Sequence, residues 1–200
     1  LVILVVNYDV GMSQNSQSQE FDANGVLDVI VKANQIFNID IITHKLDKII
    51  ITSSLEGEYK SSYQVASKIQ DGKLEIALLK QPFATIEDNK LSAHKVISAV
   101  LRIELPQQLN LSVSSDIGSV KLTGQYNDVY IKLVHGQCTV NGQAKHAVIT
   151  TDNGNINIKT TSAKIEAISN HGNVILDDFS SELSNWKLHS INGNIKVLQQ

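Results

Sequence analysis

Four ionisable residues recur at one place in successive stretches of this 200-residue chain: Asp128, His146, Lys164 and Glu182, each 18 residues after the last. Stacked ~4.8 Å apart, they could act as an acid/base cluster on a polysaccharide, one group giving a proton and another taking it. The competing reading is a surface ladder of charge pairs, each worth ~0–1 kcal/mol. Nothing in the sequence supplies a cleft or a carboxylate of raised pKa, so the ladder is the expectation. His135 and His171 also share one place, with Asn153 between them. As zinc ligands both must lie ~2.0–2.1 Å from one ion. Two strand spacings hold them ~10 Å apart, so turn residues are expected instead. Asp116 and Asp152 meet the same objection. The calcium nonapeptide G-G-x-G-x-D is absent. Asp177-Asp178 is the densest carboxylate pair; in a turn both could meet a cation, and a solvated corner is the alternative. No metal and no cofactor is expected.

The remaining reactive groups are few. Cys138 is the single cysteine, which excludes an intramolecular disulfide and a multi-cysteine zinc site. It falls between Val120 and Ile156 in the pattern below, so a buried inert thiol is expected rather than a nucleophile. Trp186 lies at an inward position and is expected to cover the C-terminal end of the core; its rival role is stacking on a sugar beside the loop at 180–185. Tyr59, Tyr63, Tyr126 and Tyr130 are the other aromatics that could face a ligand. Tyr130 sits at an outward position and is the first of them to test. Tyr130, Trp186, Asp177 and Asp178 are thus the candidate binding residues, and no catalytic residue is assigned.

The elements that position these groups announce themselves through five glycines: Gly118, Gly136, Gly154, Gly172 and Gly193. The first four are 18 residues apart and the last follows after 21. Around them run GSVKL, GQCTV, GNINI, GNVIL and GNIKV. Counting from each glycine, positions −7, −5, −3, +2 and +4 share one face of two short strands. In five copies 21 of these 25 residues are apolar. At the alternate positions −6, −4, +1 and +3 only 4 of 20 are: Tyr130, Val148, Ile168 and Ile175. That contrast decides for half-buried strands. A helical repeat is excluded by the period of two, the β-branched residues and the turn every 18 residues. One copy cannot bury its own face, but stacked copies can. The expectation is an all-β protein whose residues 107–200 form a β-solenoid of five 18-residue rungs, single-stranded and right-handed. Asn155, Asn173 and Asn194 follow their glycines and could stack as an amide ladder.

Residues 14–106 are also rich in strands but lack the strict period. Gly72-Lys73-Leu74-Glu75-Ile76 matches the repeat phrase, which suggests degenerate rungs; a cap over the open edge of the solenoid is the alternative. Leu1 to Val6 is a short apolar run, and Gly11 and Ser13 stand at −3 and −1 of a cleavage site before Gln14. Residues 1–13 are therefore read as the remainder of a secretory signal peptide, against the alternative of an apolar strand. The run is far too short to span a bilayer. A formal net charge of −3 gives no electrostatic case for nucleic acid.

The repeat resembles the bacterial putative-adhesin, β-strand-repeat envelope family. The resemblance rests on LPQQLNLSVSSDIGSVKL (Leu105 to Leu122), then on HGQCTV, DNGNINI, HGNVIL and INGNIKV. It covers Leu105 to Val197 well and the N-terminal half loosely. It implies an exported protein folded as a single-stranded β-helix, and it carries over no catalytic residue. The reading that results is a non-enzymatic, exported envelope protein, periplasmic, surface-bound or secreted, that presents a rigid polar surface to a glycan or another envelope protein. A polysaccharide-acting β-helix enzyme is the alternative from another class. A structural module that docks a partner strand on the last rung is the third.

Overall fold

The computed structural model describes residues 16–57, 60–81, 98–179 and 184–200. Apart from one 3-10 turn at Lys60–Ser62, the regular elements are all strands. In chain order these are β1 (Ser16–Asp22), β2 (Asp28–Lys32), β3 (Asn38–His44), β4 (Lys48–Glu56), β5 (Tyr63–Gln70), β6 (Lys73–Lys80), β7 (Ser98–Pro106), β8 (Asn110–Ser115), β9 (Ser119–His135), β10 (Cys138–Asn153), β11 (Ile156–Thr160), β12 (Lys164–Ser169), β13 (Val174–Leu176), β14 (Asn185–Ser190) and β15 (Ile195–Gln199).

The 15 strands form one hydrogen-bonded sheet that curls over on itself. The curl is made by β9 and β10, of 17 and 16 residues, which pair with each other along nearly their whole length. Gly124 and Gly142 mark the bend. Gly124 has φ +116, and a Cβ on Gly142 would lie 1.9 Å from the Gly124 carbonyl oxygen. Only glycine fits a backbone approach that close. On either side of the bend the strands belong to two wings. Wing one runs β1-β4-β7-β3-β9-β10-β11-β15-β13. Wing two runs β5-β6-β2-β8-β9-β10-β14-β12. All neighbours are parallel except β1–β4, β4–β7 and β5–β6.

The alternating pattern explains why the wings close on each other. Inward residues such as Val120, Leu122, Ile131, Ile149, Ile156 and Ile195 are fully buried in a single core shared by both wings. Register is strict because slipping one residue would turn every apolar side chain to solvent. The first three copies pair with the expected 18-residue offset: Val120 with Cys138, and Cys138 with Ile156.

The expectation of five rungs stacked in chain order is corrected at the C-terminal end. Ile156 pairs with Ile195, and Ile195 with Val174. In wing two Ala147 pairs with Trp186, and Trp186 with Ile165. The last copy, containing Gly193, therefore lies between the third and the fourth, and the Gly172 copy forms the terminal rung. The amide ladder follows the same order: Asn194 N–H donates to Asn155 Oδ1 at 2.8 Å, and Asn173 N–H to Asn194 Oδ1 at 2.8 Å. Residues 180–183, where the sequence puts the three extra residues as a loop, lie outside the described residues.

Strands β2 to β7 continue the same two wings. β2 and β3 pair with β8 and β9, and β6 and β7 lie outside β2 and β3. Beyond them β4, β1 and β5 close this end with antiparallel strands, joined across the wings by Gln19 Nε2 donating to the Val65 carbonyl at 3.0 Å and by a Ser67–Gln19 side-chain bond. The Gly72 phrase belongs to this region, but Leu74 pairs with Val29 in wing two, the counterpart of Leu111 and not of Val120.

Candidate functional site

The outer face of wing two carries two neighbouring columns of side chains that run across the strands. The first reads Lys73, Asp28, Asn110, Asp128, His146, Asn185, Lys164. The second reads Glu75, Ile30, Ser112, Tyr130, Val148, Lys187, Glu166. Successive members stand one strand spacing apart, ~4.8 Å. Where the columns run side by side they line a shallow depression of about 430 Å³, with Asp28, Asn110, Asp128 and His146 along one margin and Tyr130 and Val148 on its floor.

Tyr130 is 49 % exposed and Val148 beside it 37 % exposed, at places where the neighbouring copies carry Ser112 and Lys187. The polar margin is already ordered by its own hydrogen bonds. Asn110 Nδ2 donates to Asp28 Oδ1 at 2.8 Å, Asn127 Nδ2 donates to Asn110 Oδ1 at 2.7 Å, and His146 Nδ1 lies 2.8 Å from Asp128 Oδ1. The side chains of His146 and Asp128 remain 65 % and 55 % exposed. This arrangement offers an aromatic ring, an aliphatic floor and oriented carboxylate, amide and imidazole groups on one open face. That combination suits stacking plus hydrogen bonding to a hydroxylated ligand. The matching depression on wing one, lined by Asn38, Asp40, Ser119, Lys121, Gln137 and Thr139, has no aromatic.

The four-member charge column is corrected. Asp128 and His146 are paired, but Asn185 separates His146 from Lys164, because the last copy is inserted there. Glu182 lies outside the described residues. Trp186 is 1 % exposed, and its indole N–H donates to the Ala144 carbonyl at 3.1 Å. It is covered by neighbours on both sides, so it fills the core one rung from the end and presents no face to a ligand. Tyr126, read as able to face a ligand, is also buried; its hydroxyl donates to the Ile41 carbonyl at 2.9 Å, and desolvation raises its pKa. Tyr63 is half-buried, and Tyr59 lies outside the described residues. Asp177 and Asp178 are exposed at the end of β13, where Asp177 Oδ2 accepts from the Gln199 N–H at 2.9 Å. Cys138 is fully buried, and burial pushes its thiol up to about 12. His135 and His171 stand three strand steps apart in the observed order, and Asp116 Oδ1 accepts from the Gln35 N–H at 2.9 Å. Among the described residues no three His, Cys, Asp or Glu side chains are grouped to hold a metal.

The fold has known counterparts. A putative cell adhesion protein from Clostridium sporogenes superposes with a TM-score of 0.66 at 12 % identity, over 94 % of this chain and 100 % of that one. A putative adhesin from Bacteroides fragilis matches with a TM-score of 0.42 at 12 % identity, over 93 % and 98 % of the two chains. A putative lipid binding protein from Parabacteroides distasonis matches with a TM-score of 0.28 at 11 % identity, over 90 % and 96 %. The first likeness shows a shared fold. No family model and no curated protein matches the sequence. Among the described residues no helix is long and apolar enough to cross a membrane.

Proposed function

We propose that this chain is an exported, non-enzymatic protein of the bacterial envelope that binds a glycan on the outer face of wing two, with Tyr130 as its stacking platform. The reading rests on one observation above the rest: a half-exposed tyrosine on an aliphatic floor beside the hydrogen-bonded Asp28–Asn110 and Asp128–His146 pairs. The regular stack gives this solenoid-like surface its rigidity, so a ligand meets groups already in place. An enzyme reading is disfavoured by geometry. Asp28 and Asp128 stand two strand steps, ~9.6 Å, apart on one open face, and each is already engaged, Asp28 by Asn110 and Asp128 by His146. Export is supported by the apolar run and small-residue site at 1–13, which lie outside the described residues. The C. sporogenes adhesion protein is in keeping with a surface role.

The test offers the protein to a panel of bacterial and host polysaccharides and reads retention and released reducing ends in the same wells. Retention without new ends is the expected result. Tyr130→Ala, an exposed substitution that leaves the core intact, is expected to weaken it at least tenfold, about 1.4 kcal/mol. Retention that ignores this substitution sinks the assignment of the site. Release of reducing ends would overturn the non-enzymatic reading and turn attention to Asp128 and His146.

A further inference from the structure

The two ends of the stack are finished differently. At one end the outermost strands are polar: β1 reads SQSQEFD, and β5 carries Gln64, Lys68 and Gln70 on its exposed positions. At the other end the terminal rung, β12 and β13, leaves its core side open. Val174 and Leu176 occupy inward positions yet are 39 % and 42 % exposed, and Ile165 and Ala167 are only partly buried. Two of its four outward positions are also apolar, Ile168 at 64 % and Ile175 at 55 % exposure. β6 and β7 also expose one apolar outward residue each, Leu79 at 50 % and Val100 at 42 %, but there the inward Leu74, Ile76, Leu101 and Ile103 are fully buried. The column ending at Ile168 is Lys32, Ser114, Lys132, Thr150, His189; the one ending at Ile175 is Arg102, Asp40, Lys121, Thr139, Asn157, Lys196. An apolar sheet edge left open in this way is a pairing site.

We propose that a second copy of this chain covers it, the two terminal rungs pairing antiparallel about one two-fold axis. The axis pierces both wings at Ile168 and Ile175, which stand equally far from the turn at 170–173. The hydrogen-bond pattern fits this register on both wings at once. Asn173 O and Asp177 N are engaged with β15, which turns the N–H and C=O groups of Val174 and Leu176 toward the open edge. Lys164 N and Asn170 N are engaged with Ser184 and Ser190, which leaves those of Ile165, Ala167 and Ser169 free to pair outward. Val174 then meets the partner's Leu176, and Ala167 the partner's Ser169, each as a hydrogen-bonded pair. Ile175 and Ile168 meet their own copies as close, non-hydrogen-bonded pairs, where side chains pack most tightly. Each carboxylate avoids its like: Glu166 faces the partner's Asn170, and Asp177 the partner's Asn173. The closed, polar opposite end leaves nothing to continue a fibre, so the symmetry closes at two. β12 has six residues and β13 three, so with sheets ~10 Å apart the end face is roughly 15 Å by 20 Å, or on the order of 600 Å² across both copies. That is at the low end for specific association and implies a dimer that dissociates on dilution.

Sedimentation equilibrium from about 1 μM to about 1 mM reads the mass directly. The wild-type protein should pass from monomer to dimer over this range, and Ile175→Lys should stay monomeric throughout. Because residue 175 faces its own copy, mixing Ile175→Lys with Ile175→Glu should restore a dimer that neither forms alone. Ile175→Cys should oxidise to a symmetric disulfide dimer, since Cα atoms of such a pair stand ~4.5 Å apart, within disulfide reach. Cys138 is buried and does not compete. A protein monomeric at every concentration, with no disulfide at 175, overturns the proposal. So does a dimer that survives both Ile175→Lys and Ile168→Lys, since its interface lies elsewhere.

Discussion

Gly154→Ala should be among the most damaging single-methyl changes in the protein. The repeat glycines form a column in which each Cα from Gly136 onward rests on the carbonyl of the glycine one rung away, and Gly118 rests on that of Ile36. A Cβ on Gly154 would lie 1.9 Å from the Gly136 oxygen and 2.5 Å from its carbon. Ordinary contact needs about 3.4 Å, so the two rungs must part by more than 1 Å. Two hydrogen bonds cross that gap, Gly136 N–H to Asn153 O at 3.0 Å and Cys138 N–H to Asn155 O at 2.9 Å. Losing both costs about 2 kcal/mol, and the overpacking strain adds ~1–3 kcal/mol. The expected loss is therefore about 3–5 kcal/mol out of the ~5–15 kcal/mol that holds a typical domain. At a urea m-value of ~2 kcal/mol/M the midpoint should fall by about 2 M. Two companions separate the causes. A Cβ on Gly172 would lie 2.1 Å from the Gly193 oxygen, but among the described residues of a single copy no strand lies beyond the terminal rung, which can move outward, so in dilute protein Gly172→Ala should cost under half as much. Gly25 has open space around it and φ +81, so Gly25→Ala should lose only the ~1–2 kcal/mol of a left-handed alanine. A Gly154→Ala protein within 1 kcal/mol of wild type, or equal losses at 154 and 172, would refute the argument from rung spacing.

Trp186→Ala should destabilise by about 3–5 kcal/mol in the same titration, because it empties a fully enclosed site and strips the Ala144 carbonyl of its donor; a loss below 1 kcal/mol would mean that the indole does not fill the core. Alkaline stability should depend on Cys138. Its thiol stays protonated in the folded chain to about 12 but ionises from an ordinary 9.0 in the unfolded chain, so between these values the unfolded state holds fewer protons and stability falls as pH rises. From pH 8 to pH 10 the wild-type protein should lose about 1.4 kcal/mol more than Cys138→Ala, and equal slopes would rule the linkage out.

The alternating pattern made the strands and their buried faces legible, because burial on one face of a strand demands a period of two. It also placed Tyr130 outward and Cys138 inward. Neighbour order was not legible. A parallel ladder with an apolar face accepts any copy as its neighbour, so the pattern around Gly172 and that around Gly193 are interchangeable locally. What distinguishes them is size. In wing two Trp186 and Leu188 need cover on both sides, while Ile165 and Ala167 at the same places in the other copy leave less to bury at an end. The Gly72 phrase misled for a related reason: a glycine before two alternating apolar residues reads alike in either wing. Tyr126 lies in the bend, outside the alternating positions, where the sequence carries no signal for inside or outside.

The four residues that break the polar outer pattern fall into two pairs. Tyr130 and Val148 are cross-strand neighbours in one wing, and Ile168 and Ile175 share the terminal rung on opposite wings. Single exposed apolar residues need no explanation, but pairs that meet in space do. The first pair makes a lateral patch and the second an end patch, and β14 and β12 carry wing two from one to the other. Joined at the end patch, two copies would extend wing two into one continuous sheet with both tyrosines on the same face. From β9 to its counterpart are seven strand spacings, so the two rings would stand ~34 Å apart. A polymer long enough to span that distance meets two sites held in fixed relation, and the second binding step becomes intramolecular. A short oligosaccharide gains nothing from the pairing. If both proposals hold, a weak monovalent face and a weak dimer would combine into firm retention on a polymeric surface, the setting in which a shallow, rigid platform with one aromatic is sufficient.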